Sequence, residues 1–545
     1  MLLMRMDTVV SNNWIHMNLG PSSTVPLLLG TFAVGFGLVS MVVKEWLFLS
    51  DTLVALLFGI MFGPAGLGVA NPAEWIDIPS FTLEFARLII AIQVMTAGIT
   101  LPKKYLVEEL KSLLMLLGPV MTWMWLTSAV VLMLVFRLGF VESLLIASCV
   151  APTDPVLANS IVKGKFAESK VPQHVRNIIS AESGANDGLG YPYLYLALYL
   201  LKFSKGEALT RWFVVVVVWE VLLSVVLGAL VGWVARLLLQ YARKNRWIDH
   251  DSFFSFAVSL TLLTLGIVSL IGSDDILACF IAGNTFTWDD WFREETIESH
   301  FQDVLDTLFN YTFFIYLGAI IPWSNLVGGV GLLTTTRLIT SSALIILFRR
   351  LPATLAVARM TPALETFREA VFAGWFGPIG VGAVFYAMVA HKELEDSAFD
   401  GLQAKVCLLP IVYSLVVSSV IVHGITIPLY HIVSAVPNAT VAVSRFLSRT
   451  PSQSSSNLRF PFGARATPLP VPRNSRVVAI RDGQAKSRLG LLSSSCPATS
   501  EGGLLEEGPG NSSRDSSSSN DGGISSGHRQ PEDLPNYGSF SRPGS

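Results

Sequence analysis

From residue 25 to residue 430 the chain alternates apolar runs with short polar loops. A helix crossing a bilayer needs about 20 consecutive apolar residues, and this stretch supplies such runs one after another. They fall at 25–43, 51–69, 82–100, 112–136, 141–161, 176–200, 213–235, 252–271, 275–287, 304–321, 330–348, 368–390 and 406–430. The pattern predicts an all-α polytopic membrane protein of about 12–13 transmembrane helices. Residues 1–24 lack a continuous apolar core and read as a short polar lead-in, not a cleaved signal peptide. From about residue 440 the composition turns to Ser, Gly, Pro and Arg, as in SQSSSN and GNSSRDSSSSNDGG. Residues 431–545 therefore read as a cytosolic, largely disordered tail that cannot bury enough surface to offset its ordering entropy. Its composition fits a phosphorylated segment bound by kinases or regulatory proteins, and equally an inert solvated one.

Composition agrees: 51% of residues are hydrophobic, 14% are charged, and the mean hydropathy is +0.54. The net charge of −2 gives no reason to expect a nucleic-acid partner, whereas lipid is required. Cys149, Cys279 and Cys407 lie in apolar segments and Cys496 in the tail, with no metal-ligand spacing and no disulfide framework, so they read as packing residues. Basic residues gather on one set of alternate loops: Lys44, PKKY, KGKFAESKVPQHVR, ARKNR and RRLPATLAVAR. By the positive-inside rule that side is cytoplasmic, which puts the N-terminus outside and the tail in the cytosol.

Charge inside an apolar span is costly and marks candidate function. In the fifth span Thr153 and Asp154 stand between Pro152 and Pro155. Pro155 removes a backbone donor and disfavours helix at Asp154, so the helix should break there. Such a break builds an ion site, or else leaves a kinked helix with a capped Asp. In the sixth span Ser183 and Asp187 share one helix face, and Glu182 and Asn186 the neighbouring one. A hydroxyl and a carboxylate one turn apart offer oxygen ligands to a hard cation. Glu182 and Asn186 fit a helix-packing role as well as a functional one. Gly184, Gly188 and Gly190 should allow close approach of another helix.

Asp274 and Asp275 open the ninth span, either as helix caps or as an ion vestibule. Asp289, Asp290, Glu294, Glu295 and Glu298, with Arg293, read as a solvated face. Lys163, Lys165, Lys170, His174 and Arg176 read as topology anchors, and the lone His423 reads as a packed neutral imidazole in preference to a proton sensor.

APTDPVLANSIVKGKFA followed by RNIISAESGANDG resembles the cation–proton antiporters of the Na⁺/H⁺ exchanger type, and within them the fungal plasma-membrane Na⁺/H⁺ antiporters. TLPKKY, SDDILACFIAGNTFTWDDWFR, RRLP and FGPIGVGAVFYA, in that order, extend the resemblance over residues 25–430. The resemblance implies inverted repeats with two broken helices crossing near the membrane centre, usually as a homodimer, without a cofactor. It implies a site for Na⁺ (or Li⁺ or K⁺) at Asp187 and Asp154, with Ser183 and the backbone around Thr153. Asn186 would steady the crossing, and Glu182 would form a structural ion pair with Arg350. In the family, an Asn before the Asp accompanies electroneutral exchange. The implied setting is the plasma membrane, with salt tolerance and cytosolic pH control as the role. The chain departs from the family at Thr96 and Thr100, where relatives often carry an acid, and at Pro378-Ile379, where animal exchangers usually carry an arginine.

Desolvation favours a protonated carboxyl and a bound cation favours the ionised one, so proton and cation should compete for Asp187. A bare carboxylate crosses an apolar barrier only at great cost, so only the neutralised site should change sides. A sodium-coupled solute carrier or a non-transporting ion sensor would use similar residues, but no substrate pocket is marked. A channel filter would need rings from several subunits. No Ser/His/Asp arrangement, HExxH or phosphate loop points to an enzyme.

Overall fold

The computed structural model describes residues 20–47, 49–154, 158, 171–296, 301–327 and 331–447; among them no strand occurs. The lead-in before residue 20, Lys163, Lys165, Lys170, Glu298 and the tail beyond residue 447 lie outside the described residues.

In lipid every backbone N–H and C=O must find a partner inside the protein, which leaves helices as the natural state of these apolar runs. They form α1 Pro21–Met41, α2 Asp51–Phe62, α3 Ile78–Thr100, α4 Leu110–Phe136, α5 Phe140–Cys149, α6 Gln173–Gly188, α7 Gly190–Lys202 and α8 Lys205–Lys244. The second half comprises α9 His250–Ile271, α10 Asp275–Phe286, α11 Phe301–Ile320, α12 Thr335–Phe348, α13 Leu351–Val357, α14 Phe367–Trp375, α15 Val381–Glu393 and α16 Ala404–Leu447. Among the described residues, seven helical segments are long and apolar enough to cross a membrane, and four shorter apolar helices join them.

Each apolar run read from the sequence contains a helix, but the second stops at Phe62, and several are not single rods. The fifth run stops at Cys149. The sixth is interrupted at Leu189 into α6 and α7. The twelfth is interrupted between Trp375 and Val381. The seventh is longer than its apolar core, 40 residues with a π-helical stretch at Trp212–Leu222. The last helix runs on to Leu447, past the 430 boundary read from composition.

Packing follows side-chain size. α3 carries an unbroken buried stretch from Ile89 to Ile99 and packs against α6, α10 and α15. Gly184 and Gly188 of α6 are closed over by Phe280 and Leu277 of α10, and Gly190 by the Tyr386 ring of α15. By contrast Val34, Leu38 and Leu270 are well exposed, as befits lipid-facing positions.

Candidate functional site

The first interruption follows Cys149. Thr153 and Asp154, which follow Pro152, sit outside regular secondary structure and are both buried, while Pro155 lies outside the described residues. Opposite them, α6 presents Ser183, Asn186 and Asp187. Thr153 N–H donates to Asn186 Oδ1 at 3.1 Å, Asn186 Nδ2 donates to Thr153 Oγ1 at 2.8 Å, and Thr153 Oγ1 lies 3.1 Å from Ser183 Oγ. Asn186 thus pins the break to α6 from both its amide ends.

The second interruption spans Phe376 to Gly380, and the two breaks touch. Asp154 N–H donates to the Pro378 carbonyl at 2.9 Å, and Asp154 Oδ2 accepts from Val381 N–H at 2.7 Å. The carboxylate therefore satisfies a donor at the N-terminal end of α15, where the helix dipole favours negative charge. Gly380 makes this approach feasible: a Cβ there would fall 1.7 Å from Asp154 Oδ2.

Asp187 is 1% exposed, and neither carboxylate oxygen has a hydrogen-bond partner among the described residues. Gly382 faces it closely; a Cβ at that position would lie 2.4 Å from Asp187 Oδ1. Tyr386 on α15 donates its hydroxyl to the Asp187 carbonyl and lies 3.2 Å from that of Gly188, tying α15 to the end of α6.

Two buried arginines flank the crossing. Arg350 grips Glu182 with both terminal nitrogens, at 2.6 and 2.5 Å, and donates Nε–H to the Ala373 carbonyl at 2.8 Å. Arg349 instead donates to two carbonyls, that of Val150 and, at 2.7 Å, that of Gly377. It therefore joins the C-terminal ends of both half-helices, where a cation complements the dipole. Sequence reasoning named Arg350 and passed over Arg349, although a second arginine in the same buried segment needed its own partners.

Asp274 is the N-cap of α10, accepting from Leu277 N–H at 2.9 Å, while its Oδ2 has no hydrogen-bond partner among the described residues. Asp275 pairs with Arg87, whose Nε lies 2.9 Å away. Both also line an open cavity of about 290 Å³ together with Glu84, Glu220, Lys392 and Glu393. Asp274 thus caps α10 and also lines this cavity. Glu220 was not singled out from the sequence, though a lone carboxylate in WFVVVVVWEVLL was the available signal.

The departures resolve differently. Thr96 is buried against Ala257 and Thr261 of α9, and Thr100 Oγ1 donates to the Ala97 carbonyl at 3.0 Å. His174 lies 3.4 Å from Glu369, Asp290 pairs with Arg293 at 2.5 Å, and Cys149, Cys279 and Cys407 are free and buried.

Residues 31–432 match the family model described as sodium/hydrogen exchanger, transmembrane. The chain is 38% identical over 452 residues to Na(+)/H(+) antiporter 2 of Zygosaccharomyces rouxii, covering 80% of this chain and 54% of that protein. It is 39% identical over 429 residues to a Na(+)/H(+) antiporter of Saccharomyces cerevisiae, covering 75% and 44%. The chain therefore spans about half the length of these two relatives. A Na(+)/H(+) antiporter of Schizosaccharomyces pombe is 33% identical over 426 residues, covering 76% of this chain and 91% of that one. The fold matches the solved sodium proton antiporter of Methanocaldococcus jannaschii with a TM-score of 0.57 at 18% identity, over 75% of this chain and 97% of the other.

Proposed function

The chain belongs to the sodium/hydrogen exchanger family, and on that premise we propose that it is a secondary antiporter exchanging Na⁺ for H⁺ by alternating access. Li⁺ and K⁺ are the alternative cations, since all three suit hard oxygen ligands. The observation that carries the reading is Asp187: a carboxylate fully buried in the membrane region, with both oxygens lacking a hydrogen-bond partner among the described residues. A buried ionised carboxylate is tolerated only when its charge is met. A proton or a cation can meet it, and the two exclude each other. Around it Asp154, Ser183 Oγ and Thr153 Oγ1 supply further oxygens, two of them already 3.1 Å apart.

The fold supports the coupling. Asp154 is attached to α15 through Val381, and Asp187 to the same helix through Tyr386. The Asp154 carboxylate and the Asp187 backbone are thus both tied to α15, and neutralising Asp187 by either ion lowers the cost of its passage past apolar walls. The same proposal includes a homodimer in the plasma membrane, a role in salt tolerance and cytosolic pH control, and a tail open to kinases or regulatory proteins.

The test is pH-gradient-driven uptake of radioactive Na⁺ into proteoliposomes, wild type against Asp187→Asn. Uptake that depends on the gradient and is abolished by the substitution is expected, with protons inhibiting Na⁺ competitively. Undiminished uptake in Asp187→Asn would move the site elsewhere.

A further inference from the structure

Between Trp375 and Val381 the backbone leaves the helix, so its polar groups must find partners outside it. The Gly377 carbonyl takes Arg349, the Pro378 carbonyl takes Asp154 N–H, and Val381 N–H gives to the Asp154 carboxylate. Two more groups of this segment are met from α16, one of them the Trp375 carbonyl, which also accepts from Gly377 N–H at 3.0 Å. Ile379 N–H donates to Ser419 Oγ at 2.8 Å, and the Trp375 carbonyl lies 3.1 Å from His423 Nε2. One turn of one helix thus holds the break at both ends.

Both ring nitrogens of His423 face a carbonyl: Nε2 that of Trp375, and Nδ1 that of Ser419 at 2.9 Å, with Ser419 Oγ at 3.2 Å. A carbonyl only accepts, so in the tautomer that carries its proton on Nε2 the ring donates to Trp375, and Nδ1 accepts from the Ser419 hydroxyl, whose lone pairs stay open to Ile379 N–H. In that tautomer a chain of donors runs from Ile379 through Ser419 and His423 to Trp375. His423 is 3% exposed, Ser419 is fully buried, and the Trp375 and Phe376 rings flank the imidazole.

We infer that His423 and Ser419 are positioning residues for transport: they fix the second break and, through it, the Val381 donor that seats Asp154. This rests on the exchange reading. Neither residue touches the proposed cation ligands, so their removal acts on turnover and leaves cation affinity nearly intact. Losing one buried hydrogen bond at the break costs about tenfold in rate, or about 1.4 kcal/mol.

The experiment uses the full chain in proteoliposomes, with Na⁺ uptake scored per purified molecule. His423→Leu and Ser419→Ala are expected to lower turnover about tenfold, with little change in the Na⁺ concentration giving half-maximal rate. His423→Gln, whose amide can donate to Trp375 and accept from Ser419, and Ser419→Thr, which keeps the hydroxyl, should remain near wild type. Should His423→Leu fail to reach the membrane, the Ser419→Ala and Ser419→Thr pair carries the same comparison. Wild-type turnover in Ser419→Ala, or a His423→Gln rate as low as that of an apolar residue, would overturn the inference. Amide hydrogen exchange at Ile379 in the same proteins separates the two readings. Faster exchange in Ser419→Ala, with a wild type that carries no gradient-driven Na⁺, would sink exchange and leave the positioning role standing.

Discussion

Gly380→Ala is the smallest change that bears directly on the proposed ion site. A methyl there would sit 1.7 Å from Asp154 Oδ2, whereas ordinary contact begins near 3.4 Å. The obstacle is the carboxylate itself, which is held at 2.7 Å by Val381 N–H and cannot swing aside without breaking that bond. A hydrogen bond to a charged group is worth about 1.5–3 kcal/mol, so its loss should lower transport about 10- to 150-fold. The assay is pH-gradient-driven Na⁺ uptake per purified molecule. Gly266→Ala on α9, where a Cβ meets nothing within 4 Å, serves as the control and should transport normally. Wild-type uptake by Gly380→Ala would refute the claim that the seat of Asp154 on α15 matters to transport.

Two further outcomes test the surroundings. Glu182→Gln or Arg350→Met alone leaves one buried charge unpaired and should destabilise the protein by about 3–5 kcal/mol, while the double substitution should recover most of the loss in a thermal-unfolding series on purified protein. Single variants as stable as wild type would remove the pair from the structural account. If the acidic cavity serves as an ion vestibule, Glu220→Gln should raise the half-saturating Na⁺ concentration at low ionic strength, with turnover unchanged and the effect shrinking as salt is added, because such a vestibule acts through long-range attraction. A fall in turnover at unchanged half-saturation would mean that Glu220 does something else.

The legible parts of the site were those whose cost shows in the sequence. Asp154 between two prolines, and Asp187 in an apolar run, announce themselves because charge and broken helix are expensive in lipid. The pairing of Glu182 with Arg350 spans 168 positions, and no local rule links them; it came from resemblance. Arg349 was harder still, because its partners are the carbonyls of Val150 and Gly377, which carry no residue identity. Ser419, and the contact made by His423, were hidden for the same reason: they bond to backbone. The interruption at Leu189 was read as glycine-mediated packing, which is present as well, since Gly188 and Gly190 both meet neighbouring residues closely.

The charges at the crossing bear on stoichiometry. Among the described residues, the buried carboxylates and guanidinium groups there are Asp154, Glu182 and Asp187 against Arg349 and Arg350. Glu182 and Arg350 cancel as a bidentate pair. Asp154 and Arg349 meet the opposite ends of the interrupted helices, the one at the Val381 N–H and the other at the Val150 and Gly377 carbonyls. Each fixed charge is thus set against a dipole of opposite sign, and the two sum to zero. Pro378 and Ile379 leave the break without a charge of its own, and Arg349 supplies from α12's end the cation that position lacks. What remains is one uncancelled carboxylate, Asp187, which under the proposed function one proton or one Na⁺ neutralises. The proposed exchange would then be one for one at this site, and the uptake of Na⁺ should be insensitive to a clamped membrane voltage. Uptake that responds to voltage would require a second proton, and Asp154 is the carboxylate that would have to leave its seat on Val381 to carry it.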